Sequence, residues 1–217
     1  MDWKIIFKNV LHVLGLLFIA AGMCLTLTSI FTTEWQTTDF GRGEIHYHGL
    51  WRYCEPAFSL SSGVSKNEFT CYVKADMSRK SRHPFLNWQI ATLALLVGSC
   101  CKAFVGALFA CIGWCVKFCT VGFAVVSTLC TLCSGSAIFI FYRWSQDVDN
   151  QTESNGRGDD AQQVLGKSFY TSLGGLLCYF MSSIFALFCT ILVFVTIPRT
   201  KGEKSRPRIT ISTTSAK

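Results

Sequence analysis

Between Asp76 and Asp147 this 217-residue chain holds no aspartate and no glutamate. A soluble helical protein turns charged faces to water, so a stretch this long and acid-free excludes that class. Neither aspartate nor glutamate occurs in any of the long apolar runs, whereas ion-coupled carriers and pumps place carboxylates at mid-membrane depth. Histidine is scarce too: His12, His46, His48 and His83 are the only four, and no nucleophile stands at a spacing that would set them to hydrolytic or redox work. Catalysis needs a base and its partner in one shielded pocket, so no enzyme and no cofactor are expected. His46 and His48 fall on one face of a strand; without a third ligand the pair reads as a solvated strand face rather than a metal site.

What is present is four long apolar runs, at residues 10–31, 85–110, 120–141 and 168–197. Each reaches the ~20 residues that a helix needs to cross a hydrocarbon layer ~30 Å thick. Lys and Arg beside the spans set their direction. Residues 198–217 carry Arg199, Lys201, Lys204, Arg206 and Arg208 against Glu203, while residues 142–167 carry Asp147, Asp149, Glu153, Asp159 and Asp160. The basic tail is therefore expected in the cytoplasm, together with residues 1–9, which contain Lys4 and Lys8, and a tight turn at 111–119. Residues 32–84 and 142–167 become the outer loops of a multi-pass plasma-membrane protein. The formal charge of +7 lies largely on the inner face and suits anionic lipid headgroups rather than nucleic acid. Asn150-Gln151-Thr152 is a glycosylation sequon in the second outer loop, close to the membrane.

The cysteines divide by compartment. Of twelve, only Cys54 and Cys71 fall in an outer loop. Two thiols alone on the oxidising side have one intramolecular pairing, so a Cys54–Cys71 disulfide is expected, with free or intermolecular thiols as the alternative. Cys111, Cys115 and Cys119 cluster at the inner turn, where juxtamembrane cysteines are palmitoylated or simply pack. A metal there would need ligands that the neighbourhood lacks.

In the first outer loop, Glu44 to His48, Leu50 to Tyr53 and Phe69 to Val73 are aromatic and β-branched, with glycine and serine between them. They read as short strands, in a sheet too small to stand alone, which explains the use of a disulfide. Trp35 and Trp51 are expected to pack onto the helix ends, whereas a place at the headgroup layer accounts for Trp88, Trp114 and Trp144. The order Trp35, Gly49-Leu50-Trp51, Cys54, Cys71 resembles the tryptophan, glycine-leucine-tryptophan, cysteine, cysteine pattern of claudins and calcium-channel gamma subunits. Gly166-Lys167-Ser168-Phe169-Tyr170-Thr171, opening the fourth span, is similar to the same superfamily, and His46-Tyr47-His48 before the glycine resembles nematode claudin-like proteins. Two departures stand out. Sixteen residues separate the cysteines, more than claudins usually have, so claudin charge positions do not transfer. The sequence given ends in Lys217 rather than a hydrophobic residue, which argues against docking to a PDZ groove.

Lys102 is the one charge deep within a span. Counted back from Ala110 it lies about 12 Å from the inner end at about 1.5 Å per residue, within partial reach of snorkelling, with a polar contact or a partner's acidic group as the other reading. Gly98, Gly106, Gly113, Gly122, Ser134 to Ala137 and Gly174-Gly175 let helices approach closely. The expected fold is thus mainly α: a left-handed four-helix membrane bundle carrying a small extracellular antiparallel sheet. The resemblance implies adhesion and paracellular barrier formation through self-association in cis and in trans at cell junctions, with Glu55, Lys66, Glu68 and Lys74 as surface charges around the disulfide that tune charge selection. Its other implication is an auxiliary subunit of an ion channel or receptor.

Overall fold

The computed structural model describes residues 3–39, 45–56, 69–74, 86–114, 116–146 and 162–196. Four helices dominate: α1 (Trp3–Phe31), α2 (Asn87–Gly113), α3 (Lys117–Ser145) and α4 (Lys167–Thr196). All four are long and apolar enough to span a bilayer. Each is longer than a bare span requires, because helical hydrogen bonding continues through the flanking polar residues. As a result only residues 114–116 lie between α2 and α3, and Cys111 and Cys119, expected in a turn, sit on helices. Cys111 is exposed and Cys119 half-buried; Cys115 lies outside the described residues, as do Asn150, His83 and the basic tail.

In the bundle α1 packs along α4 and α2 along α3, with α3 also against α4. Lipid offers no hydrophobic drive for helices to associate, so shape and hydroxyl pairs hold them together. Gly22 and Gly175 face each other: a Cβ on Gly22 would lie 3.2 Å from the Gly175 carbonyl, and one on Gly175 would lie 2.7 Å from Thr26 Oγ1. Deeper in the bundle Ser182 donates to the Gly15 carbonyl at 2.9 Å, Thr128 and Ser183 share a bond of 2.9 Å, and Thr190 donates to the Thr120 carbonyl at 3.2 Å. At the turn end His12 is buried, with Nε2 2.7 Å from the Ala110 carbonyl and its ring edge-on to Trp114 and Phe123.

The opposite end carries a five-stranded antiparallel sheet in the order β4-β3-β2-β1-β5. Its strands are β1 (Gln36–Asp39), β2 (Ile45–His48), β3 (Arg52–Pro56), β4 (Phe69–Val73) and β5 (Gln162–Leu165). The strands expected at β2 and β4 are present. Leu50 and Trp51 precede β3 rather than opening it, because they belong to the turn from β2. Two strands carry no alternating apolar signal: β1 is Gln-Thr-Thr-Asp, and β5 comes from the second loop to pair with it, Gln36 opposite Leu165 through Asp39 opposite Gln162.

Candidate functional site

The joint between sheet and bundle is built from the tryptophan and glycine residues of the first loop. Trp35, immediately after α1, is fully buried; its Nε1 donates to the Ser29 carbonyl at 2.7 Å. Its ring meets Phe141 of α3 at a centroid distance of 4.7 Å and Phe169 of α4 at 6.4 Å. Ile30, Leu50, Trp88 and Leu96 complete this cluster. Trp88 thus belongs to the core and is 9% exposed, against the headgroup position expected for it, whereas Trp114 and Trp144 are largely exposed. The reason is register: Trp88 lies on the face of α2 that turns to Phe141, at a centroid distance of 5.5 Å.

Gly49 makes the turn between β2 and β3 possible. A Cβ there would sit 3.0 Å from both the Arg52 carbonyl and Thr33 Cα. The turn drives Leu50 into the core and leaves Trp51 at its rim, where Nε1 donates to the Ile30 carbonyl at 2.8 Å and the Arg52 guanidinium lies 4.4 Å from the ring centre. Gly166 does the same for the second loop. A Cβ on it would fall 2.1 Å from the Glu34 carbonyl oxygen, and its N–H donates to the Trp35 carbonyl at 2.9 Å. Each loop is therefore fixed to the residues beside Trp35.

Cys54 and Cys71 stand opposite each other in β3 and β4 and form a disulfide, with Cα atoms 4.1 Å apart. Three residues beyond Cys71, Lys74 closes the joint from the other side. Its N–H donates to the Trp51 carbonyl at 2.9 Å, and its ammonium donates to Gln89 Oε1 in the first turn of α2 at 3.0 Å. Lys74 is 3% exposed, and burial pushes its amine down to about 7. Residue type places Lys74 among the surface charges beside the disulfide; its hydrogen bonds to Trp51 and Gln89 hold it inside the joint instead. Glu68 and Lys66, named with it as surface charges, lie outside the described residues.

Partners directly across an antiparallel sheet share a face. On one face Gln36, Thr38, His48 and Tyr53 are buried. His46 and His48 do share this face, as the strand pattern requires, but they flank the Tyr53 ring, at centroid distances of 5.9 and 4.9 Å, rather than facing solvent. The other face is open and apolar: Ile45, Phe69 and Val164 are exposed, and Tyr47 packs edge-on to Phe69. Where this face meets the start of α4, a cleft of about 480 Å³ runs between Glu34, Thr37, Tyr47, Val164 and Tyr170. Its rim carries the solvent-exposed Glu34–Lys167 pair at 3.9 Å, a contact of the kind that contributes little. Among the described residues no three His, Cys, Asp or Glu side chains are gathered as metal ligands.

Four spans and a disulfide-closed sheet seated on a buried tryptophan are the geometry of a claudin-like four-span protein, and the Clc-like family profile matches residues 58–197. The chain belongs to the Clc-like family. No curated protein matches it. The Clc-like match begins after Trp35, Gly49-Leu50-Trp51 and Cys54, so it rests on Cys71, the second loop and helices α2 to α4. The residues that carry the claudin resemblance are in that sense a separate line of evidence for the same fold. In this Clc-like protein the two lines meet at Trp35, whose side chain touches α3 and α4 within the matched region.

Proposed function

We propose that this claudin-like membrane protein works in cell–cell contact, using its sheet as an adhesive surface that contributes to a paracellular barrier. One observation carries the reading: an open apolar sheet face, with Ile45, Tyr47, Phe69 and Val164, is held on the end of a membrane bundle by a disulfide and two tryptophan anchors. A surface that must bind through few residues gains from being fixed in advance, since less ordering entropy is lost on contact. In this reading the sheet lies outside a plasma membrane. Both termini and the α2–α3 turn lie in the cytoplasm, where the basic tail meets anionic lipid and the exposed Cys111 is open to acylation. The role is structural and needs neither catalysis nor a cofactor.

A second reading, an auxiliary subunit of a channel or receptor, is favoured by a groove of about 650 Å³ between α3 and α4. It is lined by Thr131, Leu132, Gly135, Ser136 and Phe139 on one side and Leu176 on the other, and is mostly apolar, as a seat for a neighbouring helix would be. Expression in epithelial cells that lack junctional strands separates the two. Strands at cell contacts and a changed transepithelial resistance support the barrier. Unchanged resistance, with no strands and stable co-purification of a channel subunit, would overturn it.

A further inference from the structure

Lys102 stands near the middle of α2, fifteen residues from Asn87 and eleven from Gly113. At about 1.5 Å per residue, α2 exceeds a hydrocarbon layer of about 30 Å by some 5 Å at each end, which puts Lys102 about 12 Å from the nearer boundary. Snorkelling would send the ammonium towards that boundary, at the turn end. Instead Nζ lies 3.4 Å from the Gly98 carbonyl, one turn towards the sheet end and deeper in the layer. That is the direction in which helical side chains lean, and the reach of a lysine ends well short of either headgroup region.

The ammonium has no acidic partner among the described residues; its hydrogen bond goes to a carbonyl of its own helix. Its flank is open. A Cβ built on Gly98 would meet only Lys102 Nζ, at 3.5 Å, unlike those on Gly106 and Gly113, which would press on Ile19 and His12. Gly98 therefore serves not helix packing but a notch beside the charge, bordered by the exposed Val97, Cys101 and Val105. A cation at this depth, half-buried and reachable from the lipid side, fits an anion that arrives at the same depth.

We propose that Lys102 and the Gly98 notch form a docking site for a transmembrane helix of a different protein, one that carries a carboxylate at mid-bilayer depth. A second copy of this chain cannot supply the group, since none of its four spans contains Asp or Glu. A lipid phosphate is excluded by depth. The site is distinct from the sheet face and stands whether or not the barrier reading does.

The test uses the full-length protein in phosphatidylcholine vesicles and a leucine-rich single-span peptide with one central Asp, binding being read by energy transfer. The central-Asp peptide is expected to bind at least tenfold more tightly than the same peptide with central Leu or with Asp moved two turns outward. Lys102→Met should abolish that excess and Lys102→Arg should keep it. Gly98→Leu, which leaves the charge in place but fills the notch, should weaken binding at least fivefold. An Asp peptide that binds no better than the Leu control, or an excess that survives Lys102→Met in protein with its Cys54–Cys71 bond formed, overturns the proposal. Should Lys102→Met fail to fold, undiminished Asp-dependent binding by Gly98→Leu overturns it equally.

Discussion

Lys74 offers the sharpest quantitative test of how the sheet is fixed to the bundle. In the unfolded chain its amine keeps its proton up to the ordinary value of 10.5, whereas in the folded protein burial releases it above about 7. Between those values the unfolded state holds more protons, so stability rises with pH. Below about pH 7 both states are protonated, and the cost of burying the charge is constant. Each pH unit of the window is about 1.4 kcal/mol, so from pH 7 to pH 9 this lysine alone should add about 2–3 kcal/mol. Lys74→Met keeps an unbranched chain of similar length and removes the titration. It also leaves Gln89 Oε1 without its donor, a loss of about 1–3 kcal/mol, the same at every pH. The assay is thermal unfolding in detergent micelles at pH 6, 7, 8 and 9, followed by tryptophan fluorescence, which reports on Trp51 at the same joint. Groups common to both proteins cancel in the difference. The wild type should gain on Lys74→Met by about 2–3 kcal/mol between pH 7 and 9, with the two curves parallel below pH 7. Parallel curves across the whole range would refute the buried, uncompensated amine.

Two further outcomes bear on the joint. Cys54→Ser should abolish the mobility shift between reduced and non-reduced gels and cost about 3 kcal/mol, as expected for a loop of this length; a variant that shifts and melts like the wild type would contradict the bond. Gly166→Ala would place a Cβ 2.1 Å from the Glu34 carbonyl oxygen and should lower the melting temperature sharply. Gly174→Ala, where the nearest atom is Leu25 Cδ1 at 3.7 Å, should be neutral or stabilising by up to about 1 kcal/mol through helix propensity. Equal behaviour of the two glycine variants would show that backbone approach at Gly166 is not what fixes β5.

Much of the fold could be read from local pattern. Apolar runs announce the spans, because lipid forces every span to be long and acid-poor, and the aromatic, β-branched runs at β2 and β4 are strand signals of the ordinary kind. Pairing Cys54 with Cys71 needed only compartment and count. The strands β1 and β5 escaped because Gln-Thr-Thr-Asp and Gln-Gln-Val-Leu have no two-residue hydrophobic alternation; β1 is a strand because β2 and β5 lie on either side of it, and β5 because it pairs with β1. Trp88, Lys74 and His48 were given positions at headgroup or solvent because residue type was the guide, whereas their burial follows from which way α2, β4 and β2 face once packed. Lys102 departs from the snorkelling expectation for a local reason: helical side chains lean towards the helix N-terminus, where Nζ meets the Gly98 carbonyl.

By itself, then, the amino-acid sequence determined that this is a four-span membrane protein of claudin-like plan with one disulfide. The spans and the disulfide follow from hydropathy, charge and cysteine placement, which act over a turn or a loop at a time, and the claudin-like plan from the resemblance carried by Trp35, Gly49-Leu50-Trp51, Cys54 and Cys71. Tertiary structure alone decided that the second loop completes the sheet, that Trp35 and Gly166 lock both loops to the bundle, and that Lys74 is buried. Each of these depends on contacts between segments far apart in the chain, and such contacts have no signature in the residues until the helices are packed.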